Sequence, residues 1–404
     1  MSKIQSSRQG AGAFPAGLPE PAPDAWEHSS RLAGLIRREM SQQEGRLAFD
    51  RFMELALYAP GLGYYAAGAR KFGEAGDFVT APEISPLFGR CVARQCRQVL
   101  AFLDGGDLLE FGAGTGALAA DLLLELEALA SLPGRYLILE LSPDLRQRQR
   151  ETLAARTPHL LDRVEWLDAL PDPGFRGAVV ANEVLDAMPV SRFRIGEDGV
   201  REGFVCWRDE GFLAFWDEPL TPGLEEAVSA LQECLGGFGA GYESELNLRA
   251  GPWLRELAQS MEAGAVLLID YGYPRTEYYH PQRSAGTLLC HYRHRAHGDP
   301  LILPGLQDIT AHVDFTAVAR AGLDAGFDLG GYTTQAHFLL GCGLDALIAA
   351  SDPHDVKAHL TLMQGVKRLT LPSEMGERFQ ALALTRGFGQ PLAGFSLRDL
   401  RGRL

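Results

Sequence analysis

From Asp107 onward short apolar runs alternate with helical patterns, and this rhythm restricts the fold more than any other feature of the chain: "DLLEF", "TGALAADLLLELEALA", "RYLILEL", "SPDLRQRQRETLAA", "RVEWL" and "GAVVAN" follow one another. Short apolar runs joined by helices feed a doubly wound parallel sheet, so the chain is expected to be α/β with a Rossmann-like core. The sheet resumes at "AVLLIDYGY", and "YTTQAHFLLGCG" is expected to be a late strand region. Between them, "VSRFRIGEDGVREGFVCW" brackets turn residues as hairpins do, which predicts a β-hairpin insertion.

Before this core the pattern is helical. In "RLAFDRFMELALYAP", Phe49, Phe52, Met53 and Leu57 recur at helical spacing and Pro60 follows the end. In "GDFVTAPEISPLFG", Ser85 reads as an N-cap with Pro86 at the first helical position. The expected organisation is a flexible arm over 1–25, a helical region over 26–105, a sheet domain over 106–345 with an insertion at about 190–262, and a helical tail over 346–404.

Composition narrows the partners. With 404 residues and 46% hydrophobic content the chain can bury a large core, and a formal net charge of −14 repels nucleic acid from most of the surface. No run approaches the roughly 18 apolar residues of a membrane span. Six cysteines without a CxxC pair, and an opening without signal-peptide or presequence character, lead to the expectation of a cytoplasmic protein with reduced thiols.

The glycines of "DLLEFGAGTGALAADLLLEL" bring backbone close to something. Gly112, Gly114 and Ala117 satisfy the dinucleotide pattern G-x-G-x-x-G/A, while Glu110, Gly112, Gly114 and Gly116 also fit the E/D-x-G-x-G-x-G loop of S-adenosylmethionine sites. Close packing of strand on helix is a third reading. A pyrophosphate is an anion that favours helix N-termini, whereas S-adenosylmethionine carries a sulfonium and an ammonium. Carboxylates near the loop favour the second ligand. Glu140, ending "RYLILEL", is placed to accept from ribose hydroxyls, and Asp168, after "RVEWL", to meet an adenine amino group beside Trp166 and Leu167.

Two further stretches bear chemistry. "VVANEVLDAMPV" sets Asn182, Glu183 and Asp186 after an apolar strand, where open α/β sheets place ligands; acids in the first turn of a helix are the alternative. "CHYRHRAHGD" sets His291, His294 and His297 beside Cys290, but zinc needs convergent geometry that spacing alone does not give, so no metal is expected.

Together "FMELALYAPGLGYY", "GDFVTAPEISPLFG", "LLEFGAGTGALAADLL", "ANEVLDAMPV" and "LQDITAHVDFTAVA" make the chain resemble the MidA-like methyltransferases, from about Ser41 to Phe395. The resemblance implies a seven-stranded S-adenosylmethionine-dependent methyltransferase core. It assigns Glu110, Gly112, Gly114, Gly116 and Glu140 to the cofactor, and implies that Asp77, Thr80, Pro82 and Glu83 cover it. The family includes a mitochondrial complex I assembly factor that methylates arginine, which implies a protein-arginine substrate and, as target, a subunit of respiratory complex I.

Arginine is a poor nucleophile because its guanidinium stays protonated and delocalised. Paired carboxylates that hold one end leave the opposite nitrogen more nucleophilic. Glu183 and Asp186 are the first candidates for that task, with Glu83 and Glu245 behind them. A small-molecule methyltransferase and a non-catalytic assembly chaperone that retains cofactor binding stay open as alternatives.

Overall fold

The computed structural model describes residues 17–67, 79–352 and 354–404 and divides them between two compact units. Of these, one unit takes 79–186, 250–275 and, within 313–404, all but 353; the other takes 17–67, 187–249 and 276–312.

The first unit is built on one eight-stranded sheet. In spatial order its path runs Asp328–Thr334, Phe379–Arg386, Met261–Tyr273, Phe175–Asn182, Asp107–Phe111, Tyr136–Leu139 and Val164–Leu167, and the short strand Val313–Asp314 pairs off this path with Met261–Tyr273. The last five strands of the path run parallel. Phe379–Arg386 is antiparallel to both its neighbours. The chain therefore has the α/β, doubly wound character that alternating apolar runs predict, with one strand more than seven.

Two local expectations need correction. The 346–404 stretch is not a helical tail: after the Val356–Thr370 helix, Phe379–Arg386 is an internal strand of the sheet. Its Ala and Leu residues favour helix in isolation, but Ala381, Leu382, Ala383 and Leu384 are buried on both faces, and partners on either side take the backbone bonds. In "YTTQAHFLLGCG" the strand ends at Thr334, whose hydroxyl caps the helix Gln335–Gly341.

The core of this unit lies between the sheet and the helices Pro86–Phe102 and Ala117–Ala128, with Phe88, Val92, Leu118, Leu122, Tyr136 and Val180 inside it. Ser85 caps the first of these helices by accepting from Leu87 N, and Pro86 opens it.

The second unit holds a five-stranded sheet of Arg46–Ala48, Val200–Arg208, Gly211–Asp217, Ser191–Ile195 and Glu243–Leu246, and a three-stranded sheet of Leu289–Tyr292, Arg295–His297 and Asp308–Thr310. The expected hairpin insertion is present as Ser191–Ile195, Val200–Arg208 and Gly211–Asp217. Helices Pro23–Gln42 and Phe49–Tyr58 cover a core of Leu32, Ile36, Phe49, Phe52, Met53 and Leu57, so the helical face read from the sequence is a packed one.

Candidate active site

The glycine loop joins the Asp107–Phe111 strand to the Ala117–Ala128 helix. Gly112, Gly114 and Gly116 have φ of 59°, 53° and 83°, a left-handed backbone that side chains adopt only with strain. Each does a different job. A Cβ on Gly116 would stand 3.1 Å from Gln149 Cα, so this glycine lets the Pro143–Arg156 helix approach. A Cβ on Gly112 would stand 3.6 Å from Val184 Cγ2. A Cβ on Gly114 would meet nothing within 4 Å, so bare backbone faces open space there. Such a cradle fits a ligand that lies on the backbone.

Glu140 ends the neighbouring strand at 7% exposure. Its Oε1 accepts from Ser142 N at 2.9 Å and its Oε2 from Gln149 Nε2 at 3.0 Å. Burial pushes its carboxyl up, and these two donors oppose the shift. Gln149 is fully buried and donates a second bond to the Gly114 carbonyl at 3.1 Å, while its Oε1 accepts from Trp166 Nε1 at 2.9 Å. Because an indole N–H only donates, it fixes the amide orientation and aims Nε2 at both Gly114 and Glu140.

Asp168 lies at the surface, its side chain 89% exposed, and accepts from Arg146 Nη2 at 2.6 Å. The same guanidinium donates to the Glu140 and Leu167 carbonyls, at 2.5 and 2.7 Å, and so ties two strand ends together. Arg150 stacks over Trp166 at 4.6 Å. Glu110 lies deeper, 2% exposed, accepting from Tyr136 Oη at 2.6 Å. Burial pushes its carboxyl up to about 7, against the Tyr136 hydrogen bond that pulls it down.

Of the expected covering residues, Asp77 lies outside the described residues. Thr80 precedes the short helix Ala81–Ile84, which contains Pro82 and Glu83. Glu83 Oε1 accepts from Thr115 Oγ1 at 3.2 Å, which sets a carboxylate directly against the glycine loop. Glu83 and Glu140 would repel a pyrophosphate and attract a cation, so this donor set fits S-adenosylmethionine better than a dinucleotide.

The second cluster follows the Phe175–Asn182 strand. Glu183 has φ 53°, its N–H donates to the Ile269 carbonyl at 2.9 Å, and its Oε1 accepts from Asn182 Nδ2 at 3.2 Å. Asp186, 5% exposed, accepts from Tyr271 Oη at 2.6 Å. Asp270, 1% exposed, accepts through Oδ2 from the N–H groups of Leu185 and Asp186 at 3.0 and 3.2 Å and through Oδ1 from its neighbour Tyr271 N at 2.9 Å. Burial, and then the charges of Asp186 and Glu183, raise its carboxyl well above the usual range. Val184, in the same turn, is the residue that borders Gly112.

Glu245 belongs to the other unit, where its Oε2 accepts from Thr287 N and Oγ1 at 2.8 and 3.1 Å. His291 and His297 lie on opposite strands of a hairpin, with His294 in its turn; Cys290, whose buried thiol is pushed up, faces His297 across the pair. Among the described residues no cluster of histidine, cysteine and carboxylate side chains is placed to hold a metal, and no helix is long and apolar enough to cross a membrane.

Gln149, Arg146, Asp270 and Tyr271 are the participants that sequence reasoning missed. Gln149 and Arg146 sit in the charged stretch "RQRQR" and carry no signal of their own. Asp270 did carry one, because it ends the apolar run "AVLLID" on a strand parallel to that of Asn182, at the same carboxyl edge.

Residues 91–333 match the family model described as "Putative S-adenosyl-L-methionine-dependent methyltransferase". Among curated proteins the chain is 30% identical to protein arginine methyltransferase NDUFAF7, mitochondrial, of Homo sapiens, over 84% of this chain and 80% of that protein. It is 29% identical to the protein of the same name from Danio rerio, over 83% and 82%. A solved structure from Burkholderia thailandensis, bound to S-adenosyl-homocysteine, is 45% identical with a TM-score of 0.91 and covers 96% of this chain and all 100% of its own. The expectation of a cytoplasmic location is overturned, because the curated relatives are named as mitochondrial proteins. The enzyme's cofactor is S-adenosyl-L-methionine, and the chain belongs to the MidA-like family of S-adenosyl-L-methionine-dependent methyltransferases.

Proposed function

We propose that the enzyme methylates an arginine side chain of a protein. The observation that carries this reading is the turn Glu183 to Asp186, which sets carboxylates at the carboxyl edge of the sheet and borders the glycine loop through Val184, 3.6 Å from the Cβ position of Gly112. The curated relatives named protein arginine methyltransferase support the choice of acceptor.

When bound, the cofactor supplies an electrophilic methyl group on a sulfonium. Gly114 would offer it bare backbone in a loop that Gly112 and Gly116 allow to turn, and Glu140, held by Ser142 and Gln149, would accept from ribose hydroxyls. Asp168, exposed and paired with Arg146, would lie at the solvent rim on the adenine side, and the Ala81–Ile84 turn with Thr80, Pro82 and Glu83 would cover the loop. Glu110 acts from behind, as a buried brace on the strand that ends in the loop. Glu183 and Asp186 hold one end of the guanidinium by charge-assisted hydrogen bonds, concentrating positive charge there and leaving the far nitrogen the better nucleophile.

Labelled S-adenosylmethionine, incubated with the enzyme and a lysate of a host strain lacking the gene, tests the acceptor. Acid hydrolysis of the labelled protein should release methylarginine. Label on lysine, or label confined to small molecules, overturns the reading. For the target we propose a subunit of respiratory complex I, on the strength of the family resemblance. Mapping arginine methylation in complex I from hosts with and without the gene decides it, and identical patterns exclude that target.

A further inference from the structure

We propose that Asp270 and Tyr271, adjacent on the Met261–Tyr273 strand, are positioning residues for the acceptor turn: Asp270 fixes its backbone and Tyr271 fixes the carboxylate of Asp186. This inference rests on the reading of Glu183 and Asp186 as the acceptor site.

The turn is held from one side. Asp270 Oδ2 collects the N–H groups of Leu185 and Asp186, and the Ile269 carbonyl collects that of Glu183, so three of the four amides from Glu183 to Asp186 are anchored on consecutive residues of one strand. These bonds keep Glu183 at φ 53°, a conformation that strains a residue with a β-carbon and persists only where its surroundings impose it. Tyr271 adds the side-chain constraint: its ring packs edge-on against Phe379, with centroids 5.4 Å apart, so Oη reaches Asp186 Oδ2 at 2.6 Å from a fixed base.

A capping role alone does not account for the choice of groups. Neutral Asn or Ser would accept backbone amides without adding a third carboxyl group beside Asp186 and Glu183, and crowding buried acids is expensive even where backbone N–H groups donate to them. A concentration of negative charge on a rigid turn is useful where a cation must be gripped in one orientation. The strain at Glu183 and the crowding of Asp270 fall on the same four residues, as expected of a site organised for binding at the expense of stability.

Tyr271→Phe is the decisive variant, since it keeps the ring that packs on Phe379 and removes the hydroxyl that donates to Asp186. With the protein identified by the lysate labelling, prepared unmethylated from a host lacking the gene, as acceptor, kcat should fall about ten- to a hundredfold, the loss expected for one hydrogen bond to a charged group, while the acceptor KM and the Kd for S-adenosyl-homocysteine stay within about twofold. Asp270→Asn should show the same split. If that variant does not fold, Tyr271→Phe decides alone. Wild-type kcat in Tyr271→Phe beside a slowed Glu183→Gln overturns the positioning role and leaves the acceptor site standing. Wild-type kcat in Glu183→Gln removes the acceptor site itself, and the proposal with it. A rise in KM or Kd with kcat unchanged also overturns the proposal, because it marks lost binding rather than lost alignment.

Discussion

The glycine loop and the turn after Asn182 border each other, but they crowd carboxylates to different degrees. Around the loop each acid has a dedicated donor: Tyr136 for Glu110, Ser142 and Gln149 for Glu140, Arg146 for Asp168, Thr115 for Glu83. In the turn, Asn182 and Tyr271 likewise donate to Glu183 and Asp186, but Asp270, whose donors among the described residues are backbone N–H groups, feels the charges of both. In the first arrangement each carboxylate is already engaged before any ligand arrives, so the loop side is finished in advance in that sense. The second carries negative charge that an arriving cation relieves. The comparison predicts that changes at the loop act on cofactor affinity and changes at the turn act on turnover.

The largest effect is expected at Gly114. Valine there would project into the open space before the loop, and the left-handed φ adds about 1–2 kcal/mol of strain. Gly114→Val should abolish S-adenosyl-homocysteine binding in calorimetry while circular dichroism reports a folded protein. Wild-type affinity in the folded variant would remove the loop from the cofactor site.

Glu110 tests the claim that the loop side is finished in advance. Its carboxyl is held at about 7 by burial, above the ordinary value near 4.5. Below pH 4.5 the group is neutral in both folded and unfolded chains and costs nothing. As pH rises from there to about 7 the unfolded chain ionises first, so stability should fall by about 3 kcal/mol and then level off. Glu110→Gln should flatten that slope in urea titrations. Parallel slopes for the two proteins would mean that Glu110 does not carry the penalty.

Glu140→Ala removes a charge-assisted acceptor and should weaken S-adenosyl-homocysteine about ten- to a hundredfold. Unchanged affinity would return Glu140 to a purely structural strand end. At the turn, Glu183→Gln should keep cofactor affinity and lower kcat about tenfold, since it removes charge and keeps shape. A parallel loss of cofactor affinity there would erase the contrast between the two regions.

How much of this was legible follows from the range of the interactions. The parallel strands from Asp107 onward, the Ser85 cap and the buried face of Phe49–Tyr58 are local in origin, and periodicity revealed them. Phe379–Arg386 was misread because its Ala and Leu content is helical in preference, and only pairing on both edges makes it a strand. The glycine loop and Glu140 were readable because strand ends of a doubly wound sheet gather at one edge. Gln149 was not, because it acts on Gly114, 35 positions away, and nothing in "RQRQR" announces the partner; Asp270 could have been found as a strand end at that edge, but its bond to Leu185, 85 positions away, could not.

Asp168 should give the smallest effect and makes the sharpest test of the loop's design. Its side chain is exposed, and its bond to Arg146 is an ion pair in solvent, worth about 0–1 kcal/mol. Arg146 keeps its bonds to the Glu140 and Leu167 carbonyls when the carboxylate is removed, so the strand ends stay tied. Asp168→Ala should therefore weaken S-adenosyl-homocysteine by no more than about fivefold, the affinity equivalent of that pair. Because exposed pairs are screened, the difference from wild type should shrink further at high salt. A loss of about a hundredfold, insensitive to salt, would show that Asp168 meets the adenine in a site shielded from water, and that the loop side is completed by its ligand after all.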